Sequence, residues 1–203
     1  MIAIVNYGVG NLFSLSSSVK YLGIDAQITS DAEVIRRADR IILPGVGAFG
    51  DAKRKLEETG LVPVIKQECA GGKPLLGICL GMQMLFDLSR EYGTHEGLSL
   101  IGGEVVPLSE HVTENVKIPH MGWNELKFQR EDPLFKYVKQ GEYVYYVHSY
   151  YAKACPESII ATSEYGGISV TGAVGNGKIY GTQFHPEKSG ETGLKILRAF
   201  SEI

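Results

Sequence analysis

The chain contains only three cysteines, Cys69, Cys79 and Cys155, and no CxxC pair. That scarcity argues against a disulfide framework and for a reducing compartment. Neither sign of charge dominates, with 20 basic and 23 acidic residues evenly mixed for a formal net charge of -3. No nucleic-acid footprint and no membrane-binding patch is expected from such a balance. The uncharged stretch from Pro74 to Phe86 is broken by glycines and falls short of the roughly 20 apolar residues a membrane helix needs. Met1 to Asn6 has no charged leading segment and soon turns polar, a poor match to a signal peptide. His95, His111, His120 and His148 show neither HxH nor HExxH spacing, so no metal is expected. Repeats, low-complexity tracts and long linkers are also missing. These absences leave a cytoplasmic protein with one domain over residues 1–203, large enough to bury roughly 70% of the surface of its unfolded chain.

What is present begins with alternation. Ile2–Asn6, Asp25–Thr29, Arg40–Leu43 and Leu75–Ile78 read as short buried strands. Helical patterns lie between them at Leu12–Leu22, Gly50–Glu58 and Leu61–Ala70. Strands alternating with helices predict βαβ units, hence an α/β fold with an open, mostly parallel sheet covered on both faces. After residue 100 the pattern changes to strand candidates separated by turns: Glu104–Leu108, Glu125–Phe128, Glu142–His148, Ser158–Ala161, Thr171–Val174 and Lys178–Phe184. They predict an antiparallel or mixed extension of the same sheet. Gly190–Ile203 closes the chain as an amphipathic helix, with Ile196, Leu197, Phe200 and Ile203 on one face.

Gly77-Ile78-Cys79-Leu80-Gly81 has the G-x-nucleophile-x-G form, between the strand ending at Ile78 and a helix expected over Met82–Leu88. A tight strand-to-helix turn strains its central residue and lifts the thiol above the sheet edge, and the flanking glycines leave room for the neighbouring backbone. The partial positive charge at the helix start favours thiolate. The N–H of Leu80 can serve as one oxyanion donor. Cys69, in an apolar helical run, and Cys155, before Pro156, read as small packed hydrophobes.

Gln183-Phe184-His185-Pro186-Glu187-Lys188 follows the strand at 178–184. Pro186 biases His185 toward an extended conformation, in which residues two apart face the same way. His185 and Glu187 can then project together, the carboxylate fixing the imidazole tautomer. An elbow cysteine with such a pair makes a Cys–His–Glu triad. Gly45-Val46-Gly47-Ala48-Phe49-Gly50 matches GxGxxG and alone would suggest a dinucleotide site. It lies in the third βα unit, Pro44 stiffens its entry, and Glu68, at the expected acidic distance, falls in a helical run. Beside an elbow the loop can instead bring a second N–H, that of Val46, to an oxyanion.

Together Pro44–Gly47, Gly77–Gln83 and His185–Glu187 resemble the class I (triad) glutamine amidotransferases. Within that family, Pro119-His120-Met121-Gly122-Trp123-Asn124 and Tyr146-Val147-His148-Ser149-Tyr150 are similar to glutaminase subunits of histidine biosynthesis. The resemblance spans essentially the whole chain. It implies glutamine as substrate, no cofactor, and a (β/α)8 barrel synthase as protein partner in a heterodimer. That partner would use the ammonia to form imidazole glycerol phosphate and an aminoimidazole carboxamide ribotide. It further implies that Gly47, Leu80 and Gln83 hold glutamine, with Ser149 and Tyr150 near its amino-acid end. Asn11, Met121, Trp123, Asn124, Tyr145 and Lys188 would lie at or near the partner interface. Three alternatives stand beside this reading: a glutaminase of another pathway, a nucleotide-binding module using Gly45 to Gly50, and a non-catalytic interaction subunit.

Overall fold

The computed structural model describes residues 1–153 and 155–203. The first half runs β1 (Ile2–Val5), α1 (Leu12–Tyr21), β2 (Ala26–Thr29), α2 (Ala32–Arg37), β3 (Arg40–Gly45), α3 (Phe49–Glu58), α4 (Leu61–Ala70), β4 (Leu75–Cys79) and the single turn α5 (Leu80–Gln83). The second runs β5 (Leu88–Ser89), β6 (His95–Glu96), β7 (Glu104–Pro107), β8 (His120–Glu125), β9 (Lys127–Phe128), β10 (Tyr143–His148), β11 (Tyr150–Lys153), β12 (Ile159–Tyr165), β13 (Ile168–Asn176), β14 (Ile179–Thr182) and α6 (Gly190–Glu202).

The main sheet has the order β2-β1-β3-β4-β14-β13-β12-β9. Pairing is parallel from β2 to β14 and antiparallel beyond it. Period-two alternation sorts the strand side chains into two cores. Ala3, Val5, Ile41 and Leu43 pack with Ile35, Phe49, Leu56 and Ile65 of α2, α3 and α4. Ile2, Ile4, Ile42 and Leu76 pack on the other face with Leu15 and Val19 of α1 and Ile196, Leu197 and Phe200 of α6. Burial on both faces explains why these strands are continuous apolar runs. The parallel register also brings the carboxyl ends of β3, β4 and β14 to one edge, where such sheets place their ligands.

Two expectations need correction, and one helix has no counterpart among them. First, the helix expected over Met82–Leu88 ends at Gln83. The carbonyls beyond it are claimed by a returning loop: Leu98 N–H donates to Met84 at 2.7 Å, and Leu100 and Ile101 donate to Leu85 at 2.8 and 3.0 Å. Second, the later strands do not all extend one sheet. Among the described residues β8 pairs only with β10, and β11-β7-β5-β6 form a separate four-stranded sheet. The helix without a counterpart is α2, six residues long and opened by Asp31, whose carboxylate accepts from Glu33 N–H at 2.8 Å.

Candidate active site

β4 is buried throughout and ends at Cys79, which takes φ 55° and ψ -110° before the chain turns into α5. An L side chain adopts that backbone only under strain, and such strain collects at functional turns. The flanking glycines answer close approaches. A Cβ on Gly81 would sit 1.8 Å from the Leu43 carbonyl oxygen of β3, and one on Gly77 would sit 2.7 Å from the Gly81 carbonyl oxygen. Only hydrogen fits at either place.

His185 follows β14, the strand that pairs with β4 on the side away from β3. Its Nδ1–H donates to Glu187 Oε1 at 2.8 Å, with both side chains buried. His185 is itself extended, as the following proline predicts, but the segment after it is not, contrary to expectation. Pro186–Lys188 is a turn of 3-10 helix, which folds Glu187 back onto the ring. Tyr145 and Ser189 fix the backbone: His185 N–H donates to the Tyr145 carbonyl at 3.0 Å, and Ser189 Oγ–H to the His185 carbonyl at 2.6 Å. With Nδ1 on Glu187, Nε2 is left for Cys79. Burial opposes a charged His185, yet hydrogen bonds to Cys79 and Glu187 and their charges outweigh it and push the imidazole up to about 10. Such partners favour the protonated form of the ring.

A cavity of about 350 Å³ opens over this pair. Of the residues expected around glutamine, Val46, Gly47, Leu80, Gln83, Ser149 and Tyr150 all line it. Val46 follows Gly45, the register partner of Cys79 across β3 and β4. Gln83 is nearly buried, and its Nε2 donates to the Tyr150 carbonyl at 3.0 Å and to Gln183 Oε1 at 3.1 Å. Both its N–H donors are thereby used, so only its Oε1 remains for a ligand.

Sequence reasoning missed Glu91, Tyr92 and His148 on the same wall. Glu91 lies on a loop with no motif spacing to mark it. Its carboxylate accepts from Phe49 N–H at 2.6 Å, at the start of α3. That contact also removes the dinucleotide reading of Gly45–Gly50, because a pyrophosphate would need the helix start that Glu91 occupies. Gly50 serves packing instead, since a Cβ there would lie 2.8 Å from the His95 ring. His148 belongs to a buried pair. Its Nδ1–H donates to the Tyr150 carbonyl at 2.8 Å, so its Nε2 accepts from His120 Nδ1–H at 3.0 Å.

Of the expected interface residues, Met121 and Trp123 project outward from β8, and Lys188 is exposed. Trp123 meets the Tyr145 ring edge-on at 6.1 Å, and Lys188 Nζ lies 6.0 Å from the same ring. Asn11 caps α1 and shares a narrow crevice with Val46, His185 and Glu187. Asn124 differs from the others. Its amide is engaged within the chain, donating to the Glu164 carbonyl at 2.9 Å and contacting His120 Nε2 at 3.3 Å. Exposed Phe13, Tyr21 and Tyr143 were not anticipated. Among the described residues no helix is long and apolar enough to cross a membrane, and no group of three or more His, Cys, Asp or Glu side chains could hold a metal ion.

Residues 3–202 match the family described as glutamine amidotransferase class-I. The chain is 52% identical over 204 residues to the imidazole glycerol phosphate synthase subunit HisH of Bacillus cereus strain G9842, an alignment covering 100% of this chain and 95% of that protein. It is 50% identical over 204 residues to the protein of the same name from Caldanaerobacter subterraneus subsp. tengcongensis, covering 100% and 98%. Two solved structures share the fold at low identity. A crystal structure of a glutamine amidotransferase superposes with TM-score 0.76 at 17% identity, covering 100% of both chains. A chain of PurLQS from Thermotoga maritima superposes with TM-score 0.74 at 18%, covering 98% of this chain and 96% of that one. With a family match along nearly its whole length and relatives at half identity, this chain belongs to the class I glutamine amidotransferases.

Proposed function

We propose that the chain hydrolyses glutamine to glutamate and ammonia and hands the ammonia to a (β/α)8 barrel synthase bound at the face carrying Met121 and Trp123. The synthase would form imidazole glycerol phosphate and an aminoimidazole carboxamide ribotide in histidine biosynthesis, in the cytoplasm. Full-length similarity to relatives named as subunits of that synthase supports the pathway. One domain over residues 1–203 suffices for the role. The observation that carries the chemistry is the strained Cys79 at the sheet edge beside a His185 held by Glu187.

The Cys79 sulfur attacks the side-chain amide carbon of glutamine, forming a C–S bond and moving the carbonyl electrons onto oxygen. The N–H groups of Leu80 and Val46 stabilise that oxyanion. His185 gives its proton to the departing nitrogen, the C–N bond breaks and ammonia leaves a thioester. Water then attacks with His185 taking its proton, and C–S cleavage returns the thiolate beside the reprotonated His185 and releases glutamate. Gly47, Leu80 and the Gln83 Oε1 hold glutamine, with Ser149 and Tyr150 near its amino-acid end. Asn11, Tyr145, Asn124 and Lys188 flank the partner face. Asn124 supports it from within, through its bonds to Glu164 and His120.

The deciding experiment assays glutamine hydrolysis by the chain alone, with a barrel synthase, and with the synthase carrying its nucleotide substrate. Cys79→Ala should abolish glutamine-dependent synthesis and leave ammonia-dependent synthesis intact. Substantial glutaminase turnover by Cys79→Ala would overturn the assignment.

A further inference from the structure

The segment that supplies His185 begins with a residue the mechanism above does not use. Gln183 is fully buried, and a buried primary amide must place two donors and an acceptor. β14 pairs with β4 in parallel register, with Thr182 opposite Ile78. One residue further on, Gln183 falls beside Cys79. Its Nε2 lies 3.8 Å from Cys79 Sγ.

The direction of that amide follows from the bonds around it. The Tyr150 carbonyl can only accept. It takes His148 Nδ1–H at 2.8 Å and Gln83 Nε2–H at 3.0 Å. This fixes which end of the Gln83 amide is nitrogen. The second Gln83 N–H points to Gln183 at 3.1 Å, so the Gln183 atom receiving it is oxygen. The opposite end of the Gln183 amide, facing the sulfur, is therefore the donor. Reversing it would set two donors against each other in a buried site, at the cost of an unmet polar group.

The sulfur thus has one donor and one acceptor near it. The Val147 carbonyl oxygen is 4.0 Å from the same sulfur. It can accept from a neutral S–H but repels a thiolate. The Gln183 N–H does the reverse, because a donor gains when its acceptor becomes charged.

We propose that Gln183 is a further positioning residue for glutamine hydrolysis: its side-chain N–H, aimed by Gln83, holds the Cys79 sulfur in its attacking position and favours its anionic form. The proposal rests on Cys79 as the nucleophile. It extends the site beyond the triad by an amide pair linking the nucleophile to the glutamine-binding wall. Gln183 does not line the cavity, and Gln83 keeps its bond to the Tyr150 carbonyl without it, so its loss should act on turnover more than on glutamine binding.

The test uses the full chain with its synthase partner and two variants, Gln183→Met and Gln183→Glu. Two quantities are read: the rate of Cys79 alkylation by iodoacetamide at fixed neutral pH, and kcat and KM for glutamine. Alkylation needs no glutamine recognition, so it separates this proposal from the glutaminase reading, which Cys79→Ala tests. Gln183→Met should slow alkylation and lower kcat by about 10- to 100-fold, the range for losing a hydrogen bond to a charged group, with KM changed by about twofold or less. Gln183→Glu should be worse in both, because an acceptor and a negative charge replace the donor. Unchanged alkylation in either folded variant overturns the proposal, as does a rise in KM alone. Where the variants do not fold, the unmodified chain answers. The Gln183 side-chain amide resonance should shift when Cys79 is alkylated, and an unmoved resonance overturns the assignment equally.

Discussion

The strain at Cys79 predicts an inversion of an ordinary rule. At a buried, extended or helical position, replacing a residue with glycine leaves the fold less stable than replacing it with alanine, by about 0.5–1 kcal/mol, because glycine loses more backbone freedom on folding. Cys79 has φ 55° and ψ -110°, a conformation that costs a side-chain-bearing residue about 1–3 kcal/mol. Alanine keeps that strain and glycine removes it. The other losses, the sulfur and its neighbours, are nearly common to both substitutions. The difference between them is then the strain less the entropy term, about 1 kcal/mol in favour of Cys79→Gly. For a domain of this size that corresponds to about 2–4 °C in Tm. Urea unfolding of the two variants, both inactive as glutaminases, measures it. A Cys79→Ala chain as stable as Cys79→Gly, or more so, would refute the reasoning. The turn would then be relaxed and the elbow a matter of placement alone.

Other outcomes follow from the same geometry. His185→Ala should be nearly as damaging to glutamine hydrolysis as Cys79→Ala, and Glu187→Ala distinctly milder, since Glu187 orients the ring and does not transfer the proton; effects of singles and triple that simply multiplied would argue against a working triad. Gly81→Ala should destabilise by about 3 kcal/mol, with Tm as readout, because its Cβ meets a backbone carbonyl that no rotamer can relieve; a Tm unchanged from the parent chain would contradict the close approach. Burial, then the neighbouring His120, pushes His148 down to about 3, so it stays neutral in the folded chain while the unfolded chain takes up a proton near pH 6.5. Stability from this group is therefore lost as pH falls from about 6.5 toward 3, and between pH 7 and 5 the parent chain should lose about 2 kcal/mol more than His148→Asn in urea unfolding. His185, raised by its partners, has the opposite sign, which is why the comparison uses a variant and not the parent slope. Equal losses in the two chains would count against a neutral His148.

How far the molecule could be read from its residues depends on where the controlling contacts lie. β1, β3 and β4 were legible because burial on both faces forces unbroken apolar runs. α6 was legible because one buried face repeats at helical spacing. α5 was overextended for a tertiary reason. Met84 to Phe86 have helix-compatible side chains, but their carbonyls are bonded by residues 98–101, and no local propensity records that competition. The triad was visible as two separate motifs, although the expected route for His185 and Glu187 was wrong: a turn, not an extended segment, brings them together. Glu91 and Gln183 escaped notice for the same reason as each other. Glu91 caps a helix whose first residue lies 42 positions upstream, and Gln183 meets Cys79 across a separation of 104. What places the amide on the sulfur is the offset between β4 and β14, with Thr182 opposite Ile78. A shift of one residue in that ladder would turn Gln183 to the other face. Such an offset is set by two cores packed on opposite sides of the sheet, so it becomes readable only once the strands are paired.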